Sequence, residues 1–191
     1  MRLARTEDNC SYINTSLKTV RMQPNQHQRS MKREQPRPGQ ESVWNYPRPP
    51  RLESSAKTVI VSLPGEEIAR TSKAYRLLET CHPPTWYLPP NSVRQELLIA
   101  TPKRSFCEWK GEASYWSVRV GNLTRENAAW SYALPQANFK EIRDYLAFYA
   151  GLFDCYVDGE RVKPQPGGFY GGWITEDLAG PFKGIPGSSG W

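Results

Sequence analysis

A chain of 191 residues, 38% hydrophobic and 12% aromatic, carries enough large apolar side chain for one packed domain plus an arm. Its formal charge of +6 sits at one end: residues 1–57 hold 11 Lys/Arg against 5 Asp/Glu, and residues 58–191 hold 14 of each. A neutral body argues against nucleic acid as a partner, and without an apolar run of 18 residues no membrane span is expected.

Residues 1–40 have few apolar anchors and no periodicity, so they read as a disordered basic arm. Met31 is a second plausible start, which makes residues 1–30 an extension ahead of it. They lack the continuous apolar stretch of a signal peptide. Val43, Trp44 and Tyr46 then mark 41–56 as an extended, Pro-rich lead-in that packs on a body spanning 57–191. Thr58–Leu63 is a β-branched run, Pro64–Gly65 turns it, and Glu66–Thr71 returns it. Ser72–Thr80 reads as a short helix or tight turn, stopped by Pro83 and Pro84. Thr85–Leu88 is a short strand, and Asn91–Ile99 a turn leading into another. Ala113–Val120 alternates well, Gly121–Asn122 turns, and Arg125–Tyr132 pairs back. Residues 136–149 are the one predicted amphipathic helix, with Phe139, Ile142, Leu146 and Tyr149 as its apolar stripe and Lys140 facing Asp144. Cys155–Val157 is a strand, turned at Asp158–Gly159. The last 28 residues hold eight Gly and four Pro, yet Phe169, Tyr170, Trp173, Phe182 and Trp191 punctuate them. They read as an ordered wrap over 164–191. The fold class is therefore mainly β (α+β).

Four dispersed cysteines, Cys10, Cys81, Cys107 and Cys155, form no CxxC and fit a reduced, cytoplasmic protein. With only His27 and His82, neither a metal site nor a cofactor is expected. Nucleotidyl transfer would need convergent carboxylates; the nearest pairs are Glu108/Glu112 and Asp158/Glu160, and no GxxxxGK[ST] occurs. Cys107, near Lys103, Arg104 and Lys110, is the best thiol candidate, with His82 as a base brought in by folding. An ordinary buried cysteine is the plainer reading of it. A small-molecule cleft draws on Trp86, Trp109 and Trp130, interleaved with Glu108, Lys110, Arg119, Glu126 and Asn127. Trp116 is expected in the core, and Trp109 and Trp130 nearer the cleft. Three readings stand open: a small-molecule-binding domain, an enzyme using Cys107 or Glu108/Lys110 in the same cleft, and an interaction module using the arm and the aromatic tail.

The strings HPPTWYLPP (82–90), SFCEWKGEASYWSV (105–118), ENAAWSY (126–132), FKEIRDYLAFY (139–149), VDGERV (157–162) and GGFYGGWITEDLAGPFKG (167–184) follow one another in a fixed order. From Lys57 onward the chain resembles the domain-of-unknown-function family 427, loosely called nucleotidyltransferase-like. The resemblance implies a β-tent fold of antiparallel sheets, an architecture also found in B-type methionine sulfoxide reductases. Several proteins of that shape hold zinc with two CxxC pairs, which this chain lacks. The shape alone does not assign a reaction.

Overall fold

Short β-branched and aromatic runs, cut by Gly and Pro, become strands rather than helices in the computed structural model, which describes residues 32–191. The extension 1–30 and the start of the arm lie outside the described residues, as do Cys10 and His27. The strands, in chain order, are β1 (Glu41–Ser42), β2 (Arg51–Ser55), β3 (Val59–Leu63), β4 (Glu66–Thr71) and β5 (Ala74–Leu78). Then come β6 (Thr85–Tyr87), β7 (Leu98–Cys107), β8 (Gly111–Val120), β9 (Leu123–Ser131) and β10 (Ala147–Phe148). The last are β11 (Asp154–Val157), β12 (Glu160–Arg161), β13 (Lys163–Pro164), β14 (Trp173–Ile174) and β15 (Leu178–Ala179).

Three open antiparallel sheets carry the fold: β10-β9-β8-β7, β12-β11-β3-β4 and β2-β5-β6. None closes into a barrel. The fold class is mainly β, as the resemblance implies. The core packs Val59, Val61 and Ile68 of the β3–β4 hairpin against Trp86, Leu88, Val118, Phe148 and Trp173. No helix among the described residues is long and apolar enough to cross a membrane.

The helical element is shorter than the expected 136–149. Two merged 3-10 turns cover Ala137–Ile142, broken at Phe139 (φ −127°). The rest of the stretch pairs as β structure. Leu88 and Leu146 exchange both backbone hydrogen bonds, at 2.8 and 2.9 Å, and Ala147 lies opposite Trp130. Asp144 adopts φ +61° and turns the chain into that pairing. The apolar stripe is still inside, since Phe139, Ile142 and Leu146 are buried. Long-range ladder bonds have overridden local helical spacing, and no Lys140–Asp144 ion pair forms among the described residues. Ser72–Thr80 is corrected in the same direction. Its Ala74–Leu78 portion is the central strand of a sheet, flanked by β2 and β6.

Bulges in β9 and β7 interrupt the two ladders of β8. On one side Trp116 faces Ala129 and Val118 faces Arg125, so Glu126, Asn127 and Ala128 crowd against the single residue Ser117. On the other side Ala100 faces Trp116 and Arg104 faces Ser114, so Thr101–Lys103 crowd against Tyr115. Ser117 Oγ fills the gap by accepting the Asn127 N–H at 3.1 Å, and Thr101 Oγ1 donates to Asn127 Oδ1 at 2.8 Å. Bulges of this kind re-aim side chains off the sheet face.

The segments on either side of the sheets lie together. Strand β1 pairs parallel with β15, and Val43, Tyr46, Leu78 and Leu178 form a small core of their own. Trp44 Nε1 donates to the Pro181 carbonyl at 3.0 Å, and its ring lies 4.9 Å from that of Trp191. Trp173 is fully buried, and its Nε1 donates to the Phe148 carbonyl at 2.9 Å.

Candidate functional site

At the end of the β7–β8 hairpin the chain turns through Glu108–Lys110, and a cavity of about 520 Å³ opens beneath that turn. Its floor is aromatic. Trp130 on β9 faces Tyr115 across the ladder, and the Trp130 and Tyr149 rings lie 4.6 Å apart. Tyr87 and Tyr132, both buried, approach at 6.3 Å. Trp109, half-buried, reaches in from the turn. Burial pushes the phenol pKa values of Tyr87 and Tyr132 well above the usual range, so both stay neutral donors.

The far wall is the Gly-rich segment after β13. Gln165, 4% exposed, clamps it with three hydrogen bonds. Its N–H donates to the Gly172 carbonyl at 3.0 Å, its Oε1 accepts the Gly172 N–H at 3.1 Å, and its Nε2 donates to the Lys183 carbonyl at 2.9 Å. Gly171 lies against the Trp130 indole so closely that any Cβ there would overlap the ring. A glycine is required at that contact. Phe169, 77% exposed, and Tyr170 stand at this wall and are shared with a second cavity of about 550 Å³. The second cavity receives Lys103, Glu126 and Asn127, the residues that the two bulges displace.

The expected site residues therefore divide. His82, Cys107, Glu108, Trp109, Lys110 and Trp130 line the first cavity. Glu126 and Asn127 line the second. Two lie outside both cavities. Trp86 is 3% exposed in the main core, its ring 6.5 Å from Trp173, because the β6 register points it between the sheets. Arg119 is exposed opposite Thr124 at the other end of β8, roughly 30 Å of strand away from Lys110. Trp116 packs partly buried against the core and donates Nε1–H to Ser131 Oγ at 3.0 Å. The tyrosines, Gln165 and Lys183 were missed. Alternation places Tyr115 and Tyr132 on strands, but nothing local reveals that five distant tyrosines share one void.

Charge in the first cavity is uneven. Glu79 is held by Arg48 at 3.2 Å, and Glu108 is exposed at the rim. Lys183 Nζ donates to the Trp191 carbonyl oxygen. Lys110 is only 7% exposed, and among the described residues its ammonium has no hydrogen-bond or carboxylate partner. It lies 5.8 Å from the Tyr132 ring centroid. His82 Nδ1 is 3.0 Å from the Thr80 carbonyl, which can only accept, so Nδ1 carries the proton and Nε2 is left as an acceptor. Burial lowers the His82 pKa, and the nearby Glu79 only partly opposes it. The ring packs edge-on against Tyr170 at 4.9 Å. Cys107 is half-buried at the end of β7, while burial pushes the Cys81 and Cys155 thiols up.

The carboxylate pairs considered for nucleotidyl transfer are engaged elsewhere or dispersed. Asp158 Oδ1 accepts the Thr58 N–H and Glu160 Oε1 accepts the Glu176 N–H, both at 2.7 Å. Among the described residues no three of His, Cys, Asp or Glu converge as a metal-binding group.

Comparison with known families matches residues 51–159 to the family described as a domain of unknown function, DUF427. The match spans more than half of the chain. The protein belongs to the DUF427 family. A search of curated proteins finds no match. The DUF427 match takes in the turn 108–110 and Trp130 but stops before the Gly-rich wall, so the cavity is built from residues on both sides of that boundary.

Proposed function

We propose that this DUF427 protein binds a small organic molecule with a flat, unsaturated body in the cavity beneath Glu108–Lys110. The observation that carries this reading is a void of about 520 Å³ walled by Trp109, Trp130 and a ring of tyrosines. That size and lining are the usual make-up of a small-molecule pocket. Aromatic faces supply stacking area at low conformational cost. The three described cysteines are free thiols, which fits a reducing compartment such as the cytosol.

A partner-recruiting tail fits less well. Trp173 is fully buried, Phe182 and Trp191 are half-buried, and only Phe169 of the tail aromatics stands exposed. Enzymatic use of Cys107 would need a base within hydrogen-bond reach, and no described hydrogen bond joins Cys107 to His82 or Lys110.

Native mass spectrometry of the full chain, together with titration of 2-naphthamide followed by tryptophan fluorescence, tests the pocket. At about 0.3 kcal/mol per heavy atom, this probe of about 13 heavy atoms gains about 4 kcal/mol, a Kd of about 1 mM. We expect saturable quenching in that range and a weaker response in Trp109→Ala. A protein that carries no organic mass and shows no saturable quenching would overturn the reading.

A further inference from the structure

We infer that the ligand of this cavity carries a carboxylate, and that Lys110 is the residue that receives it. The inference rests on the pocket reading above and adds the ligand's charge to it.

Lys110 is 93% buried by the 7% exposure of its residue, yet it faces no carboxylate among the described residues. Lysine is almost never this buried unless paired, because an unpaired ammonium loses its hydration. Its ammonium nevertheless keeps contact with the void. Tyr132, whose ring centroid lies 5.8 Å from Lys110 Nζ, lines the same cavity as Lys110 itself. The ammonium therefore borders the space where a ligand would lie, with no hydrogen-bond or carboxylate partner of its own among the described residues. The Tyr132 ring face at 5.8 Å offers partial compensation and leaves the three N–H donors free.

The competing charges do not cancel it. Glu79 is spoken for by Arg48, and Glu108 is exposed to solvent, where water screens it. The second cation in the cavity wall, Lys183, donates to the Trp191 carbonyl oxygen. One free ammonium matches one negative charge. A phosphate of nearly two charges would be left partly uncompensated in an otherwise aromatic chamber, so a carboxylate fits better.

The test compares three probes that share one ring system: 2-naphthamide, 2-naphthoate and 2-naphthyl phosphate, each titrated into the full-length protein at neutral pH. A charge-assisted hydrogen bond makes naphthoate bind about tenfold or more tightly than the amide. Lys110→Met should erase that preference, and Lys110→Arg should retain part of it. The wild-type ratio needs no variant, so a Lys110→Met protein that fails to fold still leaves the inference testable. Equal binding of naphthoate and naphthamide overturns the carboxylate and spares the pocket. Tighter binding of the phosphate than of naphthoate also overturns it. Loss of the preference in Lys183→Gln instead of Lys110→Met overturns the assignment to Lys110. Absence of binding by all three probes overturns the pocket itself, and the inference with it.

Discussion

Ile142 shows how a residue can be read correctly inside an element that was not. Its place on an apolar stripe is visible in the sequence, and it is fully buried, although a 3-10 turn rather than an α-helix presents it. Ile142→Ala should destabilise the protein by about 2–5 kcal/mol in a denaturant melt, because it leaves a cavity against packed neighbours. His82 provides a test by pH. Burial depresses its pKa, so the unfolded chain binds the proton more readily than the folded one between the depressed value and the ordinary 6.5. Stability tied to this group is therefore complete above about pH 6.5 and is lost as pH falls through that window. The melting midpoint of the wild type should drop more steeply between pH 7 and pH 5 than that of His82→Gln. Parallel curves would mean that His82 binds its proton equally well in the folded and the unfolded chain.

Hairpins were legible because their signals are local. Pro64–Gly65, Gly121–Asn122 and Asp158–Gly159 each turn the chain where turn chemistry says they should. Strand β5 and the stretch after Ile142 were not, because what makes them extended is pairing with partners that their own residues do not reveal. The bulges in β7 and β9 were equally invisible, since nothing in a good alternation announces an inserted residue. Asn127 sits at φ +48° inside one of them, a conformation asparagine tolerates better than most side chains. Asn127→Ala should cost about 1–3 kcal/mol, from a strained left-handed backbone and the lost bond to Thr101. Asn127→Gly loses the bond without the strain and should cost about 1 kcal/mol less. Equal losses in urea melts would mean that the backbone relaxes out of the bulge.

For the whole molecule, the tryptophans explain why the site was only half readable. Sequence spacing marks Trp86, Trp109, Trp116 and Trp130 as large rings near strand ends, yet whether a ring becomes core or cavity wall depends on which sheet covers it. Trp86 met Trp173 and went inside; Trp130 met a glycine, and the chamber above it stayed open. Trp173 is a keystone between the Gly-rich segment and the body. Trp173→Ala should destabilise the whole unit by about 3–5 kcal/mol and broaden its thermal transition.

Strand β1 leans on β15, and Trp44 on Pro181, across a sequence separation of 137 residues. Loop closure over such a span is slow compared with the zipping of a hairpin. During synthesis the β3–β4 and β7–β8–β9 hairpins can assemble, and Val43 and Tyr46 can meet Leu78, Thr80 and Cys81, while Glu41 and Ser42 still wait for Leu178 and Ala179. A chain stalled before Leu178 therefore leaves β1 without its partner strand and one side of the Val43–Tyr46 cluster uncovered.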